Sequence, residues 1–161
     1  MTTTVADRLN DPRPSDTCPN FGQQRLFSIP ATFPAVSQFL ETLREDVIAL
    51  QDFPCGPSWE IALAECLNNI VEHAHCGIEQ GRIDIRTSVT DRILSVDLRD
   101  RGHPMPQGAL PAGQLPSLGK ETADLPEGGF GWFLILEISE NLVYRRENGE
   151  NRIKFDVPLS D

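Results

Sequence analysis

Between Arg82 and Asp100 the chain alternates polar and apolar residues twice over, which restricts its folding more than any other stretch. Ile83, Ile85, Thr87 and Val89 share one side, and Arg82, Asp84, Arg86 and Ser88 the other. After a turn at Thr90 to Arg92, Leu94, Val96 and Leu98 again fall on one face. Side chains on a strand alternate between faces, so both runs read as half-buried strands whose apolar side needs a cover. The same period puts Asp100 in register with Leu94, Val96 and Leu98, so a carboxylate points toward that cover. Left bare there it would cost roughly several kcal/mol. Either a neighbouring donor or a ligand must satisfy it.

The stretch Ser58 to Cys76 predicts a helix over that region. Leu63, Cys66, Leu67, Ile70, Val71 and Ala74 recur at the i, i+3, i+4, i+7 spacing of one buried face. Glu65, Asn69 and His73 stand four residues apart, and with 3.6 residues per turn they form one polar row. A carboxylate and an amide oxygen one turn apart can share a hard cation and a proton-transfer task. The plainer alternative is a wet helix face. A second helix is predicted from the Thr32 cap through Gln51, with Pro34 in its first turn and Val36, Leu40, Leu43, Val47 and Leu50 as its buried stripe.

Met1 to about Gln24 carries Pro12, Pro14 and Pro19 among polar residues without periodicity, and is expected to be a mobile tail. Arg25 to Ile29 is a short strand closed by Pro30. Pro54, Gly56 and Pro57 break the chain before the central helix, where Glu60 suits the positive N-terminal end. His103 to Glu127 is irregular, with five prolines and three glycines, a composition that reads as a lid or binding loop. It ends in Gly128-Gly129-Phe130-Gly131 before W-F-L-I-L-E-I, which is expected to be a buried helix. Glycines there allow a ligand close to the backbone, and the free N–H groups of a helix start make an anion site. A plain flexible turn is the alternative. Leu142 to Arg146, an Asn148-Gly149 turn, and Arg152 to Leu159 with Ile153, Phe155, Val157 and Leu159 alternating give a hairpin.

At 161 residues this is expected to be one domain, spanning 25–161 after the tail. Lys and Arg number 14 against 24 Asp and Glu, a net charge of -10, which argues against a nucleic-acid backbone or an anionic membrane as the main partner. The longest apolar run, Phe130 to Ile138, is too short to span a bilayer, and no basic-then-apolar signal opens the chain, so a cytoplasmic protein is expected. Cys18, Cys55, Cys66 and Cys76 show neither the spacing of a zinc site nor that of a disulfide frame, and Cys66 reads as a small core residue.

Taken in order, E-C-L-N-N-I-V-E-H-A, then D-R-G, a long lid, and G-G-F-G-W-F-L-I resemble the histidine-kinase-like (GHKL) ATPases. Within that group the likeness is to the RsbW-like anti-sigma factor serine/threonine kinases of bacteria, from about Arg25 to Leu159. The resemblance implies an α/β (α+β) two-layer sandwich of the Bergerat type: a mixed, mostly antiparallel sheet with helices on one face and ATP held beneath a lid. It implies Asn69 as the Mg²⁺ ligand, Glu65 as the base, and Asp100 as the acceptor of the adenine amino group, with Gly102 giving the base room. Gly129 and Gly131 match the phosphate-side loop. Lys120, the single lysine of the lid, is a candidate for approaching the phosphates, with a solvated side chain as the plainer alternative. Two departures stand out: Pro104 replaces the second glycine of D-x-G-x-G, and Trp132, which reads as core, replaces a smaller aliphatic.

The function so implied is an ATP- and Mg²⁺-dependent kinase that phosphorylates an anti-sigma factor antagonist of the STAS type and also binds a sigma factor. No direct contact with nucleic acid or membrane is expected; relatives are often dimeric, and a homodimer rests on that analogy alone, the sequence itself leaving the oligomeric state open. The competing readings are a nucleotide-gated binding switch without transfer, and a histidine kinase catalytic domain, which is disfavoured in the expectation that a long helical dimerisation segment with a phosphoacceptor histidine would precede it. An α/β domain without ligand is the blandest, and it leaves Asp100 and the lid to be explained.

Overall fold

The computed structural model describes residues 24–49, 55–111 and 129–159; the N-terminal tail, Leu50 and Gln51, and Lys120 and Gly128 lie outside these described residues. The first strand, β1 (Arg25–Pro30), leads into α1 (Phe33–Ala49). The Thr32 hydroxyl accepts the Ala35 N–H at 3.4 Å, capping one of the amides that a helix start leaves without a partner. The stripe of Val36, Leu40, Leu43 and Val47 is buried as its spacing predicts, and Phe39 joins it. The Phe39 ring meets Phe27 of β1 edge to face at 5.0 Å, an arrangement that contributes about 0.5–1.5 kcal/mol beyond its area.

The central helix, α2 (Ser58–Asn69), begins after Pro57 with Glu60 in its first turn. Arg44 of α1 binds both oxygens of Glu60, joining the two helices at their exposed edge. Trp59, Ala62, Leu63, Cys66 and Leu67 are buried. After Asn69 the helix widens: Ile70–Ala74 is π-helical, and His75 donates to the Ile70 carbonyl, five residues back, at 3.0 Å. The expectation of one uniform α-helix to Cys76 is therefore corrected, and Val71 and Ala74 are only partly buried.

Two hairpins follow. β2 (Arg82–Thr90) and β3 (Ile93–Asp100) turn through Asp91 and Arg92, both with positive φ. β4 (Glu140–Glu147) and β5 (Glu150–Pro158) turn through Asn148 and Gly149, with φ of 51° and 79°. Two-residue turns of this hand match the twist of the strands they join. Strand order is β1-β2-β3-β5-β4, and among the described residues every pairing is antiparallel, so the sheet is less mixed than expected. The inward rows of the sheet, including Ile83, Ile85, Leu94, Leu98, Ile153 and Phe155, form one core with α1 and α2. The architecture is thus α+β, helices over one face of an open sheet.

Of the irregular stretch after β3, the described part runs to Pro111 and includes a short 3-10 turn at Pro106–Gly108. The helix after it, α3 (Gly129–Ile138), packs on α2. Its expected full burial is corrected: Trp132 and Ile135 are buried, whereas Phe130 is 50% and Leu136 38% exposed. An apolar run without a polar face gives no signal of which side will dock, and here only one side does.

Candidate functional site

The site is built where α2 meets the first turn of α3. Glu65 and Asn69 are half-buried, one turn apart. The Asn69 Nδ2 donates to the Glu65 carbonyl at 2.7 Å, so its Oδ1 is the free end of the amide. Gly131 lies directly opposite: a Cβ placed on it would stand 2.6 Å from Glu65 Oε2 and 3.3 Å from Asn69 Nδ2. Three residues singled out from sequence thus converge, and Gly129 is the first residue of the same helix. His73 does not continue the row. The π-helical turn starts at Ile70, so the spacing of 3.6 no longer holds, and His73 is exposed beside Glu72.

The second part of the site is the end of β3. Asp100 is 4% exposed, facing the helices as its register predicts. Its Oδ1 accepts the Gly102 N–H at 2.8 Å and the Asn151 Nδ2 at 2.9 Å. Gly102 is pressed against the end of the central helix, since a Cβ there would fall 2.2 Å from the Ala74 carbonyl oxygen, which accepts the His103 N–H at 2.7 Å. Cys66 sits under this corner. Burial pushes its thiol well above the ordinary range, and the charge of Asp100 pushes it further, so the group stays an uncharged core thiol.

Two side chains complete the corner without having been singled out from sequence. Asn151 of β5 is 3% exposed and lies opposite Asp100 in the ladder. His75 is 6% exposed, with Nε2 3.4 Å from Asp100 Oδ1, and neither ring nitrogen has a hydrogen-bond partner among the described residues. The alternation that exposes Asp100 to view also carries the signal for Asn151, which precedes Ile153, Phe155 and Val157 on the inward face. His75 had no comparable signal, because its burial depends on the π-helical turn.

No group of three His, Cys, Asp or Glu that could hold a metal ion occurs among the described residues. Mg²⁺ does not need one. It keeps several waters and is commonly held through one or two protein oxygens together with phosphates, a role for which the Asn69 Oδ1 is suited. No helix among the described residues is long and apolar enough to cross a membrane.

A family model described as "Histidine kinase-like ATPase domain" matches residues 31–156, which includes the α2 row, Asp100 and α3. A protein named "Serine-protein kinase RsbW" from Halalkalibacterium halodurans is 27% identical over 129 residues, covering 76% of this chain and 78% of that protein.

Proposed function

The chain belongs to the histidine-kinase-like ATPase domain family, and within that ATP-binding group we propose that it is an RsbW-like, Mg²⁺-dependent protein serine/threonine kinase. Its substrate in this reading is a STAS-type anti-sigma factor antagonist, and its second client a sigma factor held inactive in the cytoplasm. The observation that best supports it is the meeting of Glu65, Asn69 and Gly131, a carboxylate, a side-chain amide and bare backbone at the start of a helix.

Phosphoryl transfer depends mainly on positioning and on neutralising charge. Asp100 accepts the adenine amino group, using the oxygen that Gly102 and Asn151 leave free. Gly102, having no side chain, keeps that corner open to the base. The free N–H groups and positive dipole end of α3 receive phosphate oxygens near Gly129 and Gly131. Asn69 Oδ1 would hold Mg²⁺, which when bound would supply neutralisation of phosphate charge. Glu65 takes the proton of the attacking hydroxyl, a task worth about 10² to 10⁴ in rate.

The test is phosphate transfer from labelled ATP to a cognate antagonist by the wild type and by Glu65→Ala. Transfer that Glu65→Ala abolishes, with ATP binding kept, is the expected result. Undiminished transfer rules out Glu65 as base, and ATP binding without any transfer by the wild type identifies a nucleotide-gated switch instead.

A further inference from the structure

The corner around Asp100 holds a polar cluster that extends beyond the groups named in the reaction scheme above. Asn151 is its hub. One proton of Nδ2 goes to Asp100 Oδ1 at 2.9 Å and the other serves the His103 carbonyl at 3.0 Å. Its Oδ1 accepts the Tyr144 hydroxyl at 2.8 Å and the Arg146 Nη1 at 2.6 Å. Two donors and two lone pairs are all that a side-chain amide offers, so every position is filled. The orientation of the amide is dictated by chemistry, because a guanidinium has no acceptor and must face the oxygen. The nitrogen is thereby turned on Asp100.

The partners of Asn151 reach further along the same segment. Arg146 also donates to the Gly102 carbonyl at 3.0 Å, and the Tyr144 hydroxyl accepts the Met105 N–H at 3.1 Å. Register explains why they meet: Asp100, Asn151 and Arg146 are successive neighbours across β3, β5 and β4, and Tyr144 stands one row along, opposite Ile153. The β4–β5 hairpin therefore grips Asp100, Gly102, His103 and Met105, the end of β3 and the start of the segment that follows it.

We infer that Asn151, held by Tyr144 and Arg146, is a positioning residue that sets the nucleotide-base selectivity of the site by fixing the carboxylate of Asp100. The inference rests on the adenine-binding reading of Asp100. With Oδ1 occupied by Gly102 and Asn151, the carboxylate cannot rotate without breaking both bonds, and Oδ2 is the oxygen presented to an amino donor. Loss of the amide leaves the Gly102 N–H alone to oppose that rotation, and takes from the His103 carbonyl and the Tyr144 and Arg146 donors the partner that Asn151 provides. Selectivity for the amino group falls, whereas phosphate binding, which lies at α3, is spared.

The experiment compares, by calorimetry, ATP with the triphosphate of purine riboside, which lacks the 6-amino group. Wild type is expected to prefer ATP by at least about tenfold, the range of a hydrogen bond to a charged acceptor. In Asn151→Ala the preference drops to within about threefold through weaker ATP binding, the purine nucleotide binding as before. Tyr144→Phe, which removes one hydroxyl and keeps the ring, lowers the same ratio to an intermediate value and decides the matter if Asn151→Ala does not fold. An undiminished ratio in these variants overturns the inference and leaves the adenine reading intact. Equal binding of both nucleotides by the wild type removes the adenine reading and the inference with it.

Discussion

Gly131 on α3 stands against Glu65 on α2 so closely that a Cβ would lie 2.6 Å from Oε2. The contact made is with the far end of a flexible side chain, so an added methyl displaces the carboxylate rather than the helices. Gly131→Ala is therefore expected to fold with nearly the wild-type melting temperature and to bind ATP, yet to transfer phosphate about 10²-fold more slowly, the scale of a misplaced catalytic group. Thermal unfolding and single-turnover transfer on the same preparation check this. Full activity in a folded Gly131→Ala protein shows that Glu65 need not occupy its observed position.

Gly102 presents the opposite case. Its hypothetical Cβ meets backbone, 2.2 Å from the Ala74 carbonyl oxygen, and that carbonyl is anchored by the His103 N–H. Nothing there can swing aside. Gly102→Ala is expected to lower stability by about 1–3 kcal/mol, as overpacking does, and to weaken ATP binding with it. Urea unfolding of the variant measures the first, and a variant as stable as wild type contradicts the packing described.

The scaffold of this site was legible in the sequence because it follows two simple periods. Alternation placed Asp100 on the inward face of β3, and the spacing of Glu65 and Asn69 placed both on one side of α2, where they lie. What depended on departures from those periods was not legible. The π-helical turn at Ile70 moves His73 out of the row and brings His75 under Asp100, and no propensity marks the turn in advance. Phe130 to Ile138 is apolar on every side, so only the docked structure separates buried Trp132 and Ile135 from exposed Phe130 and Leu136. Asn151 was within reach of the argument applied to Asp100, since its alternation with Ile153 and Phe155 is unbroken.

The buried thiol under Asp100 gives a third expectation. Burial, reinforced by the carboxylate, keeps Cys66 protonated, and the thiolate is the reactive form. Cys76, just after the π-helical turn, is exposed. Alkylation of the native protein followed by peptide mass mapping should label Cys76 and leave Cys66 untouched until denaturant is added. Early labelling of Cys66 in the native protein contradicts its placement in the core.

The open face of the sheet carries the clearest pH dependence. Asp97 is 8% exposed, and burial alone pushes its carboxyl upward; the Arg152 guanidinium, bonded to both its oxygens at 2.8 and 2.7 Å, outweighs this with help from Arg99 and Lys154 and holds it below the ordinary carboxylate range. A carboxyl depressed by folding contributes stability that is complete above its unfolded value, near about 3.9, and is lost as pH falls through the folded one. Asp97→Asn should therefore cost roughly 1–2 kcal/mol at pH 7, since the pair is charge-assisted yet on a face open to water. The gap between wild type and variant should close as pH falls through the folded carboxyl's value, below the ordinary carboxylate range. Urea unfolding at neutral and acid pH measures it, and a gap that widens on acidification reverses the sign argued here.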